Sequence, residues 1–106
     1  MDKAIKLEII RNLKAHIQEH YLVSDLILFG SQARNEETED SDYDILVILK
    51  TDYDWRDEHS IYAICADVCT KYGILVDAHI LSVSELKTLR GFQPIYADAV
   101  KGGVYA

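Results

Sequence analysis

The chain has 106 residues, with 18 acidic residues against 11 lysines and arginines and a net charge of −7. Its length predicts one domain over residues 1–106, and 49% hydrophobic residues are typical of a folded protein, not of a disordered one. The negative charge argues against direct nucleic-acid binding, because phosphate contacts require lysine and arginine. It is compatible with a basic protein partner, or with carboxylates gathered around cations.

The sequence also predicts the cellular location of the protein and the state of its two cysteines. No secretory signal is recognisable, and the longest apolar run, Ile45 to Leu49, is far too short to span a membrane. We therefore expect a cytoplasmic protein without a membrane anchor. Cys65 and Cys69 are expected to be free core thiols, since zinc would need two more ligands at suitable spacing.

The first half of the chain predicts one helix and two strands. A helix is predicted from Asp2 to His20, where apolar residues recur at helical spacing, namely Ile5, Ile9, Ile10, Leu13 and Ile17. A short apolar strand is predicted at Leu26 to Phe29. The polar segment Gln32 to Asp40 could begin with a helical turn. The run Tyr43 to Leu49 is apolar on both faces, which is typical of a central strand.

The second half predicts a helix, a strand and two further helices. The first helix covers Glu58 to Tyr72 and ends at Gly73, a residue favoured at that position. A third strand is predicted at Ile74 to Leu81. The segment Ser82 to Glu85 has the pattern of a capping box and predicts a short helix to about Arg90.

The C-terminal segment completes the predicted fold. Pro94 suits the first turn of a last helix that ends near Gly102, and Val104-Tyr105 could form a small closing strand. These elements predict an α+β (mixed α/β) fold, in which a small mixed sheet of three to four strands is flanked by helices.

Carboxylates gather where two predicted strands begin. Asp42 and Asp44 are two residues apart, so their side chains project to the same side of a strand and repel each other. A divalent cation between them removes this penalty, and oxygen ligands suit Mg²⁺ or Mn²⁺. Asp77 lies in an otherwise apolar strand, where a charge is costly unless it is paired or bound to metal. If the two strands are neighbours, three acids could hold two ions for in-line attack on phosphorus.

Polar residues after the first strand suit an anion. Gly30 lets the backbone approach a ligand closely, and Ser31 offers a hydroxyl at a predicted helix start, where free N–H groups favour anions. Arg34 is placed either to contact a phosphate or to pair with the acidic loop. His79 shares a strand face with Asp77, as a neighbour of the site or as an ordinary core histidine.

Each feature also has a plain structural explanation. A Gly-Ser pair after a strand is commonly a turn, Asp42 could cap the loop, and Asp77 could form a salt bridge. Four acids are interpreted as a solvated face without a role, namely Glu36, Glu37, Glu39 and Asp40. A calcium loop beginning at Asp40 is excluded, because Ile45 stands at the glycine position and Thr51 at that of the closing glutamate.

The spacing of these residues resembles a known superfamily. Gly30-Ser31, ten intervening residues, Asp42-Tyr43-Asp44 and the later acid Asp77 resemble the nucleotidyltransferases of the polymerase-beta type. The chain length and the segments FGSQAR and SDYDILVIL are similar to the minimal nucleotidyltransferases, or MNT proteins. The resemblance covers nearly the whole chain. In its tail the family usually carries an acid-glycine pair, where this chain has Lys101-Gly102-Gly103.

This resemblance implies an activity and a partner. It implies that Gly30 and Ser31 hold a nucleoside triphosphate, and that Asp42, Asp44 and Asp77 hold two Mg²⁺ ions. A nucleotidyl group, commonly AMP from ATP, would move to an acceptor hydroxyl that Asp77 helps to deprotonate. MNT proteins often act as antitoxins that adenylylate a tyrosine of a HEPN toxin.

The source of the acceptor surface and the alternatives to catalysis are two further questions about function. Nothing resembles the extra domain that larger relatives use to recognise an acceptor, so that surface is expected from a partner or from a second copy of the chain. The alternative function is a non-catalytic antitoxin that neutralises its partner by occlusion, and a structural domain with a chance cluster of acids is a third. The retained acids favour the enzyme, because unused buried acids are costly.

Overall fold

The computed structural model describes residues 3–36, 42–88 and 90–106. In chain order its elements are α1 (Lys3–Gln18), β1 (Val23–Phe29), α2 (Gly30–Arg34), β2 (Tyr43–Leu49), α3 (Trp55–Tyr72), β3 (Val76–Ser82), α4 (Val83–Leu86), α5 (Pro94–Gly102) and β4 (Val104–Tyr105). The α+β class is confirmed.

The strands form one mixed sheet in the order β3-β2-β1-β4. Strand β2 pairs with β1 in antiparallel and with β3 in parallel orientation, and β4 pairs antiparallel with the other edge of β1. A parallel pair requires a long crossover connection, which α3 provides. The prediction of a mixed sheet of three to four strands with β2 at its centre is therefore confirmed.

The sheet has a different core on each face. On one face, α1 and α3 pack against a cluster that includes Tyr43, Ile45 and Val47. On the other face, a smaller cluster joins Leu46 and Ile48 to α5. Because side chains alternate along a strand, the even-numbered residues of β2 point toward the α5 side. This alternation decides which face carries the acidic side chains.

Helix α3 begins three residues before its predicted start at Glu58. Its N-cap is Asp54, whose carboxylate accepts hydrogen bonds from the backbone N–H groups of Arg56 and Asp57. The side chain of Asp57 accepts in return from the N–H of Asp54. Such reciprocal capping satisfies N–H groups that have no partner inside the helix, and it fixes where the helix begins. The helix ends before Gly73, as predicted.

Other predicted boundaries shift by a few residues. Strand β3 begins at Val76 and not at Ile74. The capping box at the start of α4 is confirmed, since Ser82 accepts from the N–H of Glu85 and Glu85 accepts from that of Ser82. This helix nevertheless ends at Leu86, short of the predicted Arg90.

A buried lysine connects α1 to α2. Ile5, predicted for the apolar face of α1, is 42% exposed, whereas Lys6 is only 3% exposed. The Nζ atom of Lys6 donates to the carbonyl oxygen of Gln32 and to Oδ1 of Asn35, both at 3.0 Å. Burial of an ammonium group is costly unless its hydrogen-bonding capacity is used. The short helix that follows β1 is thus held to α1 by side-chain hydrogen bonding.

The two cysteines are free, as predicted, and Cys65 is buried in the α1–α3 core. Burial, with a smaller effect from Cys69, raises the pKa of the Cys65 thiol to about 12. Within the residues that the structure describes, no helix is both long and apolar enough to cross a membrane. The extent of a single domain over residues 1–106 stays a prediction.

Candidate active site

Two of the three predicted acids lie side by side. Asp44 and Asp77 occupy paired positions on the neighbouring parallel strands β2 and β3. Paired residues on adjacent strands point to the same face of a sheet, so both carboxylates lie on the α5 side. Asp42 is exposed and directly precedes β2. The neighbouring strands that the prediction required are therefore present.

Asp77 is less buried than the sequence suggested. It is the second residue of β3, which is an edge strand, and its side chain is 56% exposed. Val76 and Ala78, on either side of it, pack against the core, whereas Asp77 points to the other face of the sheet where the strand begins. The expectation that apolar residues enclose the charge of Asp77 is thus wrong. The predicted position of Asp77 beside Asp44 in the sheet is correct.

The carboxylates act on one another electrostatically. The pKa of Asp44 is raised, first by burial and then by the negative charge of Asp77, with a further contribution from Asp42. His79 and Arg34 act in the opposite direction. A proton or a metal ion would relieve this repulsion. The charge distribution therefore favours a cation beside Asp44.

Gly30 joins the turn after β1 to these acids. Phe29, the last residue of β1, is paired with Asp44 across the sheet, and Gly30 follows with a φ of +73°. A Cβ atom at residue 30 would overlap Oδ2 of Asp44, so only glycine lets the backbone lie against this carboxylate. Ser31 is the second residue of α2. The backbone at the start of α2 therefore lies against Asp44, and a shared role of Gly30, Ser31 and the acids stays a prediction.

Arg34 makes the predicted pairing with the acidic loop, and its contact with a phosphate stays a prediction. Its Nε donates to Oε2 of Glu36 at 3.0 Å, which is the predicted pairing with the acidic loop. Arg34 also lines a pocket beside Gly30, and its charge reaches Asp44. Glu36 is exposed, as predicted for the solvated face. The remaining acids of that face, Glu37, Glu39 and Asp40, lie outside the described residues.

His79 lies next to the acids. Its Nε2 is 3.4 Å from Oδ2 of Asp77. Its ring packs against those of Phe29, at 5.7 Å between centroids, and Tyr96, at 6.0 Å. Of the two interpretations of His79, the structure favours a neighbour of the site that is also packed against aromatic side chains.

A pocket of about 550 Å³ opens beside Gly30, between α2 and α5. Its lining comprises Phe29, Gly30, Ala33, Arg34, Ile95, Asp98, Lys101, Gly102 and Gly103. No role was predicted for Ile95, Asp98 or Lys101. These three recur at every third residue of α5, and that spacing along one helix face is the signal that could have found them.

The donors at this site fit a hard cation. Carboxylate oxygens are the ligands that Mg²⁺ uses, and it is usually held by one or two carboxylates together with substrate phosphates and water. Considering only residues 3–36, 42–88 and 90–106, no three His, Cys, Asp or Glu side chains are grouped so that they could hold a metal by themselves. Phosphate oxygens and water would therefore complete the coordination around Asp44 and its neighbours.

Comparison with known sequences gives consistent results. The family model described as the nucleotidyltransferase domain matches residues 10–103. A Methanocaldococcus jannaschii protein, provisionally named a protein adenylyltransferase, is 36% identical over 77 residues, which cover 73% of this chain and 69% of that protein. Another protein of that organism with the same provisional name is 52% identical over 40 residues, covering 38% of this chain and 41% of the relative.

Comparison with solved structures identifies the same fold. A crystal structure of a mutant of the toxin–antitoxin MntA–HpeT has a TM-score of 0.60 at 14% identity, covering 99% of this chain and 72% of that one. A toxin–antitoxin crystallised with AMP-PNP has a TM-score of 0.59 at 18% identity, covering 89% and 69%. Since the family model spans most of the sequence, the chain belongs to the nucleotidyltransferase domain family of enzymes.

Proposed function

We propose that this protein is a Mg²⁺-dependent nucleotidyltransferase that transfers AMP from ATP to a hydroxyl of a partner protein. The proposed acceptor is a tyrosine of a HEPN toxin, for which this chain acts as the antitoxin. The observation that carries the proposal is the pairing of Asp44 with Asp77 in the sheet, with Asp44 directly against the backbone of Gly30. Carboxylates for a cation beside a backbone that can approach phosphate oxygens are what a metal–triphosphate requires.

Each predicted residue has a role in this proposal. Asp42, Asp44 and Asp77 would hold two Mg²⁺ ions, with Mn²⁺ as a possible substitute. Gly30, Ser31 and Arg34 would hold the triphosphate. When bound, Mg²⁺ supplies charge neutralisation on the phosphate oxygens. All six residues lie at or beside the junction of β1, β2 and β3.

The transfer step is a displacement at the α-phosphorus. The acceptor oxygen forms a bond to this phosphorus while the bond to the bridging oxygen breaks, and pyrophosphate leaves. The hydroxyl proton passes to a carboxylate oxygen of Asp77, which is exposed enough to meet an incoming protein. General bases must lie within hydrogen-bonding reach of the proton that they remove, and an exposed edge strand offers such access.

The choice of nucleotide and partner has separate support. The two similar M. jannaschii proteins carry names that specify adenylyl transfer to protein, and one structural relative was crystallised with AMP-PNP. Both structural relatives are toxin–antitoxin assemblies. The net charge of −7 suits a partner with a basic surface. These observations favour an acceptor protein over nucleic acid.

A transfer assay tests the proposal. The protein is incubated with MgCl₂, ATP labelled on the α-phosphate, and a HEPN-type toxin as the candidate acceptor. We expect the partner to gain the mass of one AMP and the label to follow it. Asp44→Asn should abolish transfer, whereas Asp67→Asn, which removes an exposed carboxylate from α3, should not. Absence of transfer from every common nucleoside triphosphate by folded wild-type protein would reject the activity.

Neutralisation by occlusion is the second candidate. A protein that only covers its partner needs a contact surface, to which the exposed side chains of Trp55, Leu75 and Phe92 could contribute. An Asp42→Asn, Asp44→Asn double variant separates the two functions. Full protection from the toxin by this variant would favour occlusion. Loss of protection by a variant that still forms the complex would favour catalysis.

A further inference from the structure

Two cationic side chains line the pocket beside Gly30, in a protein whose net charge is −7. Arg34 comes from the end of α2, and Lys101 comes from the last turn of α5. Arg34 is already paired with Glu36. Lys101, by contrast, makes no side-chain hydrogen bond or ion pair with any residue that the structure describes. Among those residues, no anion occupies its ammonium group, which lines the pocket.

One acid lines the same pocket as this lysine. Asp98 precedes Lys101 by three residues on the same helix. Residues at this spacing are close enough to form an ion pair. No such pair joins them in the described structure, and both side chains remain exposed. The lining therefore carries two cationic side chains and one carboxylate, with the ammonium group of Lys101 not held by Asp98.

The backbone that carries Lys101 is held against β1. A Cβ atom at Gly103 would overlap Cγ2 of Ile27 and the carbonyl oxygens of Leu28 and Ala99. The N–H of Gly103 donates to the carbonyl of Ala99 at 2.9 Å, and β4, which begins at the next residue, pairs with β1. Only a residue without a side chain permits this close approach. Lys101 is therefore presented to the pocket from a fixed position.

The pocket is continuous with the proposed transfer site. Gly30 belongs to both, because its backbone lies against Asp44 and it also lines the pocket. In the proposed reaction the α-phosphate lies at the acids, so the pocket receives a neighbouring part of the nucleotide. A free ammonium and a guanidinium suit phosphate oxygens, which carry charge, better than an uncharged base or ribose.

We propose that Lys101 is a further nucleotide-binding residue, which contacts the β- and γ-phosphates of the triphosphate and neutralises the pyrophosphate as it leaves. This inference rests on the proposed function of the site. It assigns the pocket between α2 and α5 to the leaving group, and it gives a role to a lysine at the place where the resembling family usually has an acid-glycine pair.

Nucleotide binding by three single variants tests this assignment. Affinities for ATP and for AMP are measured in MgCl₂ by calorimetry, with wild type, Lys101→Gln, Lys101→Arg and the control Lys50→Gln. Lys50 is an exposed lysine that directly follows β2, at the end of that strand away from Asp44. Circular dichroism checks that every variant folds.

The expected result is a selective loss of triphosphate affinity. Lys101→Gln should weaken ATP binding by about tenfold or more, as removal of a charged hydrogen bond does. Its AMP affinity should stay within about twofold of wild type, because AMP lacks the two phosphates that Lys101 contacts. Lys101→Arg should retain most of the ATP affinity, and Lys50→Gln should equal wild type.

Other outcomes overturn specific claims. Equal ATP affinity in Lys101→Gln and Lys50→Gln would reject the role of Lys101 while the proposed function stands. Equal losses for ATP and AMP would reject the assignment to the β- and γ-phosphates. Failure of the wild-type protein to bind any triphosphate with Mg²⁺ would reject the proposed function, and this inference with it.

Discussion

Gly30 lies so close to Asp44 that a Cβ atom on the glycine would overlap the Oδ2 atom of the carboxylate. The contact joins the end of β1 to the start of β2, and it gives Asp44 a backbone neighbour in place of a side chain. It gives a physical reason for the spacing between a glycine after one strand and an aspartate in the next.

Gly30→Ala should cost more stability and activity than the positive φ of residue 30 alone would cause, because the added Cβ would also overlap Asp44. Gly73 provides the matched control, because it also has a positive φ, +66°, but nothing lies within 4 Å of a Cβ built on it. We expect Gly73→Ala to lower the free energy of unfolding by about 1 kcal/mol and to leave transfer unchanged. Gly30→Ala should lose more stability and most activity, as measured by urea unfolding and AMP transfer. Equal behaviour of the two variants would show that the contact with Asp44 is unimportant.

Asp44→Asn should make the metal-free protein more stable at neutral pH. Burial and the charge of Asp77 raise the pKa of Asp44 in the folded protein above its ordinary value of 3.8. As the pH falls through this raised pKa, the folded wild type binds a proton before the unfolded chain does, so it gains stability relative to Asp44→Asn. The gain ends below 3.8, where Asp44 is protonated in the unfolded chain as well. Urea unfolding in EDTA from about pH 7 to about pH 4 measures the difference. A difference that does not change with pH would contradict the raised pKa.

Lys6→Met should loosen α2 and weaken the site indirectly. The substitution removes the hydrogen bonds that Nζ donates to the carbonyl oxygen of Gln32 in α2 and to Oδ1 of Asn35, which caps the end of α2. We expect a loss of about 1–3 kcal/mol in the free energy of unfolding, measured with urea. Lys3→Met, at an exposed position of the same helix, is the control and should change stability by less than about 0.5 kcal/mol. Equal effects at residues 3 and 6 would mean that the buried ammonium does not hold α2.

Cys65 should resist thiol reagents in the native protein. Burial raises the pKa of this thiol to about 12, and the thiolate is the reactive form. In a Cys69→Ser variant, iodoacetamide should modify Cys65 only at a rate set by unfolding, and urea should accelerate the reaction. Labelling is followed by intact mass. Rapid modification without urea would show that the α1–α3 core is open around Cys65.

The elements with strong local signals were predicted with their boundaries. Strand β2 is apolar on both faces, α5 begins at a proline, and Gly73 ends α3, and each of these signals acts within a few residues. The start of α3 was missed because Asp57 takes the place of the glutamate or glutamine that the capping-box pattern requires.

Errors about burial arose from contacts that are distant in the sequence. Helical spacing placed Ile5 in the core, but α2 docks beside Lys6 and uses its ammonium group. The apolar residues around Asp77 suggested an enclosed charge, but β3 lies at the sheet edge. The pocket residues Asp98 and Lys101 gain significance only because α5 lies beside Gly30 in the folded chain.

The parallel pairing of β2 with β3 has a consequence for the order of folding. Asp44 and Asp77 become neighbours only after the whole of α3 has crossed from one strand to the other, and such long-range pairings form late. A nascent chain therefore lacks the proposed catalytic centre until β3 has emerged from the ribosome. Because this pairing exists only in the native state, a metal–nucleotide that bound there would add to stability in proportion to the logarithm of its concentration. In a cell, the supply of substrate would thereby also govern how long this enzyme resists degradation.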